Sequence, residues 1–180
     1  MVFEKYEGKE NQLEKIQLTE DYLKNRKVLI HNICETWFKE DFKDEAIRGY
    51  QAFRGDRQTR SNENKNKGED EHGERLKENK GGVVTYVNEN VEATEIKKDS
   101  IGGCEFLIID INEINLINIL IYRPPRTNKS AFEKVIKEIE ETLQDLENRK
   151  KHRTIYISGD FNFPFIKWMR DLEDDHRWEE

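Results

Sequence analysis

A chain of 180 residues has room for one domain around one hydrophobic core. Charged residues make up 38% of it and hydrophobic residues 34%, which would border on disorder if the apolar residues were spread evenly; they gather instead in short runs that can form a core. The net charge of −7 excludes a general attraction to nucleic acid, so any such site must be a local basic patch or must rely on a metal ion to offset phosphate charge.

Cys34 and Cys104 lie in apolar runs and read as buried free thiols, and no Cys-x-x-Cys pair suggests zinc. Neither a signal peptide nor a run of about 18 apolar residues is present, so the chain reads as soluble and intracellular, with no membrane partner.

Residues 1–9 form a loose polar start. From Asn11 to Arg26, the residues Leu13, Ile16, Leu18, Tyr22 and Leu23 recur close to helical spacing and predict an amphipathic helix. Val28 to Cys34 follows as an apolar strand, with His31 read as a hydrogen-bonded core histidine. Glu35 stands at its C-terminal end. A carboxylate there needs either a salt bridge or a metal ion, and position alone favours neither. Ile47 to Phe53 is a short strand. The polar run 58–80 has no aromatic residue or hydrophobic period and reads as a flexible charged insertion loop. From Arg54 to Lys80 eight Lys and Arg face seven Asp and Glu, so the segment is charge-mixed and not a basic arm.

Gly81-Gly82 opens a strand over Val83–Val87, Asn88-Glu89-Asn90 is a turn, and Val91 to Ile96 is its expected partner strand. Cys104–Ile111 and Leu116–Tyr122 are strong strands joined as a hairpin, the second stopped by Pro124 and Pro125. Asn128 or Ser130 caps the next helix, whose stripe is Phe132, Val135, Ile136, Ile139, Leu143 and Leu146. Thr154 to Ile157 reads as a short buried strand ahead of Ser158-Gly159-Asp160-Phe161-Asn162-Phe163-Pro164. Asp160 and Asn162 would point the same way if the backbone stays extended; by themselves they fit an Asx-type turn better than a catalytic pair. Residues 169–180 read as a polar tail or a short helix. Hairpin-linked strands with helices near each end argue for an α+β layered sandwich, without the regular alternation or glycine-rich loop of a dinucleotide-binding fold.

Five stretches in order, Ile33–Trp37, Gly49–Arg57, Gly81–Val87, Ile121–Pro125 and Gly159–Pro164 with Trp168, resemble the endonuclease/exonuclease/phosphatase superfamily, and within it the endonuclease domain of non-LTR retrotransposons of the jockey-like or RTE-like kind. The resemblance implies a deoxyribonuclease-I-like four-layer sandwich, two mostly antiparallel sheets face to face with helices outside. It implies Glu35 as ligand of a divalent metal, Mg²⁺ or Mn²⁺. Tyr122 would contact the scissile phosphate, Asp160 would orient water or handle a proton, and Asn162 would hold the phosphate and that aspartate. Arg57 and Arg123 are expected on neighbouring DNA phosphates, Arg57 equally in a pair with a structural Asp. The expected activity is Mg²⁺-dependent nicking of DNA, with a reverse transcriptase fused in the parent protein and nuclear action on genomic DNA. Alternatives are an inactive binding module on the same scaffold and a phosphoesterase acting on small phosphoesters. Against the family pattern, residues 1–9 offer no opening strand, and Asp175-His176 comes too early and without an apolar strand to serve as the family's Asp-His pair. The expectation is therefore a partial domain over 1–168, truncated at its C-terminus and impaired in catalysis.

Overall fold

The computed structural model describes residues 9–38, 47–55, 81–149 and 153–163, with residues 9–15 and Arg149 as backbone only. Arg57, the 58–80 segment, residues 164–168, Asp175-His176 and the 169–180 tail lie outside the described residues.

Among the described residues seven strands form two sheets. The first holds β1 (Ile30–Cys34), β2 (Tyr50–Gly55) and β3 (Val83–Asn88) in the order β1-β3-β2, all antiparallel. The second holds β4 (Ala93–Ile101), β5 (Cys104–Ile111), β6 (Leu116–Tyr122) and β7 (Thr154–Asp160) in that order. Its β4-β5 and β5-β6 pairs are antiparallel, while β6 and β7 run parallel. A parallel pair needs a long crossover, and α2 (Lys129–Arg149) supplies it. The helix α1 is Lys9–Arg26.

Alternation along the central strands builds the layers. Leu107, Ile109 and Ile111 of β5 meet Leu120 and Tyr122 of β6 and Val83 and Val87 of β3 between the two sheets. The opposite faces of β5 and β6, with Phe106, Ile108, Ile117, Ile119 and Ile121, pack under Val135 and Ile139 of α2. Val84 and Tyr86, on the outer face of β3, pack with Ile16 and Leu23 of α1. The result is helix, sheet, sheet, helix: the deoxyribonuclease-I-like α+β sandwich. Each of these fully buried aliphatic side chains contributes about 1.5–3 kcal/mol by leaving water. No helix among the described residues is long and apolar enough to cross a membrane.

Four expectations are corrected. The segment after the 88–90 turn does not pair with β3, because β3 is central and has both edges occupied by β1 and β2; the chain crosses to the other sheet, where β4 runs nine residues along β5. The strand expected from Ile47 begins at Tyr50. In α1 only part of the apolar stripe is core: Ile16 and Leu23 are buried, whereas Leu18 is 63% exposed and Tyr22 is 47% exposed. The strand before Gly159 forms but is not buried: among the described residues it is the outermost strand of its sheet, with Ile155, Tyr156 and Ile157 about half exposed.

One of the two expected helix caps forms, and the expectation of two buried free thiols holds in part. Asn128 caps α2, its Oδ1 accepting the Ser130 N–H at 2.8 Å. Both cysteines are free, Cys104 buried and Cys34 half-buried. His31 is half-buried on β1 and packs on Tyr22 with 5.8 Å between ring centroids. Burial holds its pKa below the ordinary imidazole value. The unfolded chain therefore takes up a proton more readily than the folded one. Stability should be full above about pH 6.5 and should fall as pH drops through the folded value. Urea midpoints measured across pH 5–8 should show this slope, and His31→Phe should flatten it.

Candidate active site

The C-terminal ends of β1, β2, β6 and β7 and the N-terminal ends of β3 and β5 meet at one end of the sandwich. The registers Cys34↔Val83, Gly55↔Val83, Glu105↔Tyr122 and Tyr122↔Asp160 place them there. The parallel pairing of β6 with β7 sets Asp160 beside Tyr122. Glu35 follows β1 on the other sheet, and the Tyr122 hydroxyl donates a short hydrogen bond to its Oε1. Tyr122 is 4% exposed and Glu35 is half-buried, so this bond bridges the two sheets from a partly shielded position.

Asp160 and Asn162 do not point the same way along an extended strand. The chain leaves β7 at Asp160 and turns, with Asn162 at φ 45°. The Asp160 Oδ1 accepts the Asn162 backbone N–H at 3.1 Å, so the Asx turn forms and fixes the carboxylate. The Asn162 side-chain Nδ2 donates to the Arg123 carbonyl at 2.9 Å. Asn162 thus holds Asp160 through its backbone and the end of β6 through its amide.

Arg123 is committed to the protein itself. Its Nη1 donates to the carbonyls of Asn162 at 2.7 Å and Phe161 at 3.2 Å, and its Nη2 donates to the Thr127 carbonyl at 3.0 Å. The guanidinium also lies over the Phe163 ring, 4.7 Å from the centroid. The group expected on DNA phosphate clamps the 161–163 loop onto the β6 exit.

Backbone strain gathers here. Glu35 and Trp37 sit at φ 56° and 54°, and together with Asn162 they make three of the six non-glycine positive-φ residues among those described. A left-handed conformation costs a residue with a β-carbon about 1–2 kcal/mol, and such strain concentrates at functional sites.

Two features escaped the sequence reading. Glu105, 1% exposed, stands opposite Tyr122 and accepts the Gly82 N–H at 3.1 Å. Its signal was a carboxylate within a continuous apolar strand, which must find a partner once the strand is buried on both faces. The other is a polar cluster between the sheets, centred on Asn32. Cys34 lies beside these carboxylates, and its thiol is pushed up to about 11, burial being the main cause. It stays protonated and is no nucleophile.

The donor set suits a hard divalent cation. Glu35 Oε2 has no hydrogen-bond partner among the described residues, and the Asp160 carboxylate stands at the same end of the sandwich, on the residue paired with Tyr122. Among the described residues no three acidic, histidine or cysteine side chains converge as a closed cage.

The class this architecture defines is the deoxyribonuclease-I-like fold, in which two sheets pack face to face between helices. Within it the chain is similar to the human Nocturnin catalytic domain, solved with a bound sulfate anion, at 13% identity and a TM-score of 0.51, over 83% of this chain and 57% of that one. It is also similar to a truncated Caenorhabditis elegans TDP2, at 12% identity and a TM-score of 0.53, over 87% and 58%. A further TDP2 structure from the same organism matches at 10% identity and a TM-score of 0.52, over 87% and 44%. The chain therefore spans about half the length of the structures it matches. No protein-family model and no curated protein matches the sequence.

Proposed function

We propose that the chain is a phosphodiester-hydrolysing domain of the endonuclease/exonuclease/phosphatase superfamily, acting on DNA as a Mg²⁺-dependent nicking endonuclease of retrotransposon type. The observation that carries this reading is the arrival of Glu35, Tyr122, Asp160 and Asn162 at one end of the sandwich, with Glu35 hydrogen-bonded to Tyr122 across the sheets. The fold shared with Nocturnin and TDP2 supports it.

In this reading Glu35 holds Mg²⁺ or Mn²⁺. When bound, the ion neutralises charge that develops on phosphoryl oxygen and leaving oxygen. The chain's own groups do the rest. Tyr122 offers a neutral donor to a phosphate oxygen once its hydroxyl exchanges partners from Glu35. Asp160, fixed by the Asn162 N–H, orients a water and accepts its proton. Arg123 keeps the 161–163 loop seated against the β6 exit, so that Asp160 stays beside Tyr122. Arg57, the domain limits 1–168, the tail 169–180, a fused reverse transcriptase and a nuclear location belong to the same proposal.

The test is nicking of supercoiled plasmid by the purified chain. Nicking is expected with Mg²⁺, none with EDTA, and a loss of at least about 100-fold in Asp160→Ala, the size expected for a general base. Activity surviving that change would refute the assignment of Asp160. A binding module on the same scaffold is the second reading, favoured by the commitment of Arg123 to backbone carbonyls instead of to phosphate. A folded chain that binds DNA without nicking it would select that reading.

A further inference from the structure

We infer that Asn32 is a positioning residue for this site, the centre of a hydrogen-bond knot that sets one sheet against the other. The inference rests on the reading above, in which Glu35, Tyr122 and Asp160 act together. Asn32 uses its full amide valence. Its Nδ2 donates to Asn118 Oδ1 and to Ser158 Oγ, both at 2.8 Å. Its Oδ1 accepts the Thr85 hydroxyl at 2.7 Å and the Asn118 Nδ2 at 3.1 Å. Thr85 and Asn118 are fully buried. Four strands therefore meet on one amide: β1 and β3 of the first sheet, β6 and β7 of the second.

The knot lies one short stretch of strand below the site. Glu35 is three residues beyond Asn32, Tyr122 four beyond Asn118, and Asp160 two beyond Ser158. A strand advances about 3.3 Å per residue and is stiff over that length, so the position of the knot is carried to the three ends. The apolar residues between the sheets cannot do this alone. Their attraction is non-directional and tolerates sliding, whereas hydrogen bonds fail within a few tenths of an ångström and tens of degrees. Between the sheets the site needs registry to hydrogen-bond precision, because Glu35 comes from one and Tyr122 and Asp160 from the other.

The experiment separates positioning from stability. In the fourfold variant Asn32→Leu, Thr85→Val, Asn118→Leu, Ser158→Ala, apolar groups replace the whole knot and no polar partner is orphaned, which keeps such replacements close to neutral in stability. In both backgrounds a double-mutant cycle with Glu35→Ala and Tyr122→Phe, read by urea unfolding, measures the coupling of that pair. In the native background the coupling should change the unfolding constant roughly tenfold, as for a hydrogen bond to a charged group. In the fourfold variant it should fall to about onefold while the urea midpoint stays near native. Should that variant fail to fold, Asn32→Ser decides. Serine can still pair with Thr85 but is too short to reach the second sheet, and the same loss of coupling is expected. Coupling that stays tenfold in the folded variant overturns the inference. Plasmid nicking adds an independent arm: kcat should fall in the variant at unchanged KM. A native chain that does not nick at all refutes the nuclease reading, while the coupling measurement still judges the knot.

Discussion

Gly159→Ala should unfold the site end of the sandwich and cost the protein about 4 kcal/mol or more, a size that single changes reach only through a specific defect such as backbone forced apart. Gly159 has φ 145°, where a residue with a β-carbon is strained. A methyl group there would stand 1.8 Å from the Ile121 carbonyl oxygen and within 2.9 Å of the Ile121 nitrogen. Those are main-chain atoms of the neighbouring strand, paired with Gly159 in the parallel register, so no side chain can swing aside to relieve the clash. The strands must separate next to Tyr122 and Asp160. Thermal unfolding should show a drop of at least about 8 °C for a domain of this size, and Asp160→Ala on the native backbone should show no comparable drop. An alanine variant within about 2 °C of the native chain would mean that β6 and β7 do not approach as described. The glycine of the Gly-Asp-x-Asn stretch is thus required by the close approach that sets Asp160 beside Tyr122.

The second large effect lies at the opposite end of the same strands. Arg153→Ala should cost about 3–5 kcal/mol, the usual loss when one partner of a buried ion pair is removed. The Asp110 side chain is 1% exposed and that of Arg153 is 10% exposed. Nη1 lies 3.2 Å from Asp110 Oδ1, an ionic approach without good hydrogen-bond alignment, while Nη2 donates to Oδ2 at 3.3 Å. Nη2 also reaches Asn112 Oδ1 at 2.8 Å. Through these contacts Arg153 ties the start of β7 to β5 and to the turn before β6. The desolvated carboxylate of Asp110 makes the single change costly. Removing both charges, as in Arg153→Leu with Asp110→Leu, should recover most of the stability. Urea midpoints of the single and double variants check both statements. A double variant no better than Arg153→Ala would show that the cost lies in the turn contacts and not in the ion pair.

Strain at the site bears on how its residues are held. Glu35 and Asn162 keep left-handed backbones, and each is held by a contact that also serves the proposed chemistry: the Tyr122 hydroxyl on Glu35 and the Asp160 carboxylate on the Asn162 N–H. Removing either contact leaves the strain without its compensation.

Much of this protein could be read from its residues. Largely apolar runs at Cys104–Ile111 and Leu116–Tyr122 announced two strong strands, and the stripe from Phe132 to Leu146 announced a helix with a core-facing side. Local chemistry also narrowed the cap to Asn128 or Ser130 and placed the stop after Tyr122, because caps and prolines act within a few residues. What the residues alone could not decide was which strands share a sheet. The turn after β3 looked like a hairpin, yet β3 had no edge left to offer, and that depends on strands far away in sequence. The exposure of β7 likewise follows from its place at the edge of the sheet and not from its apolar composition. The side chains around Glu35, Tyr122 and Asp160 were visible as types. Their meeting depended on two sheets packing in one register, and the uses of Arg123, Glu105 and Asn32 appeared only with it. Hydrophobic period is a local property and determines each element, whereas sheet order, edge exposure and the pairing of buried polar groups are long-range properties that exist only once the layers have packed.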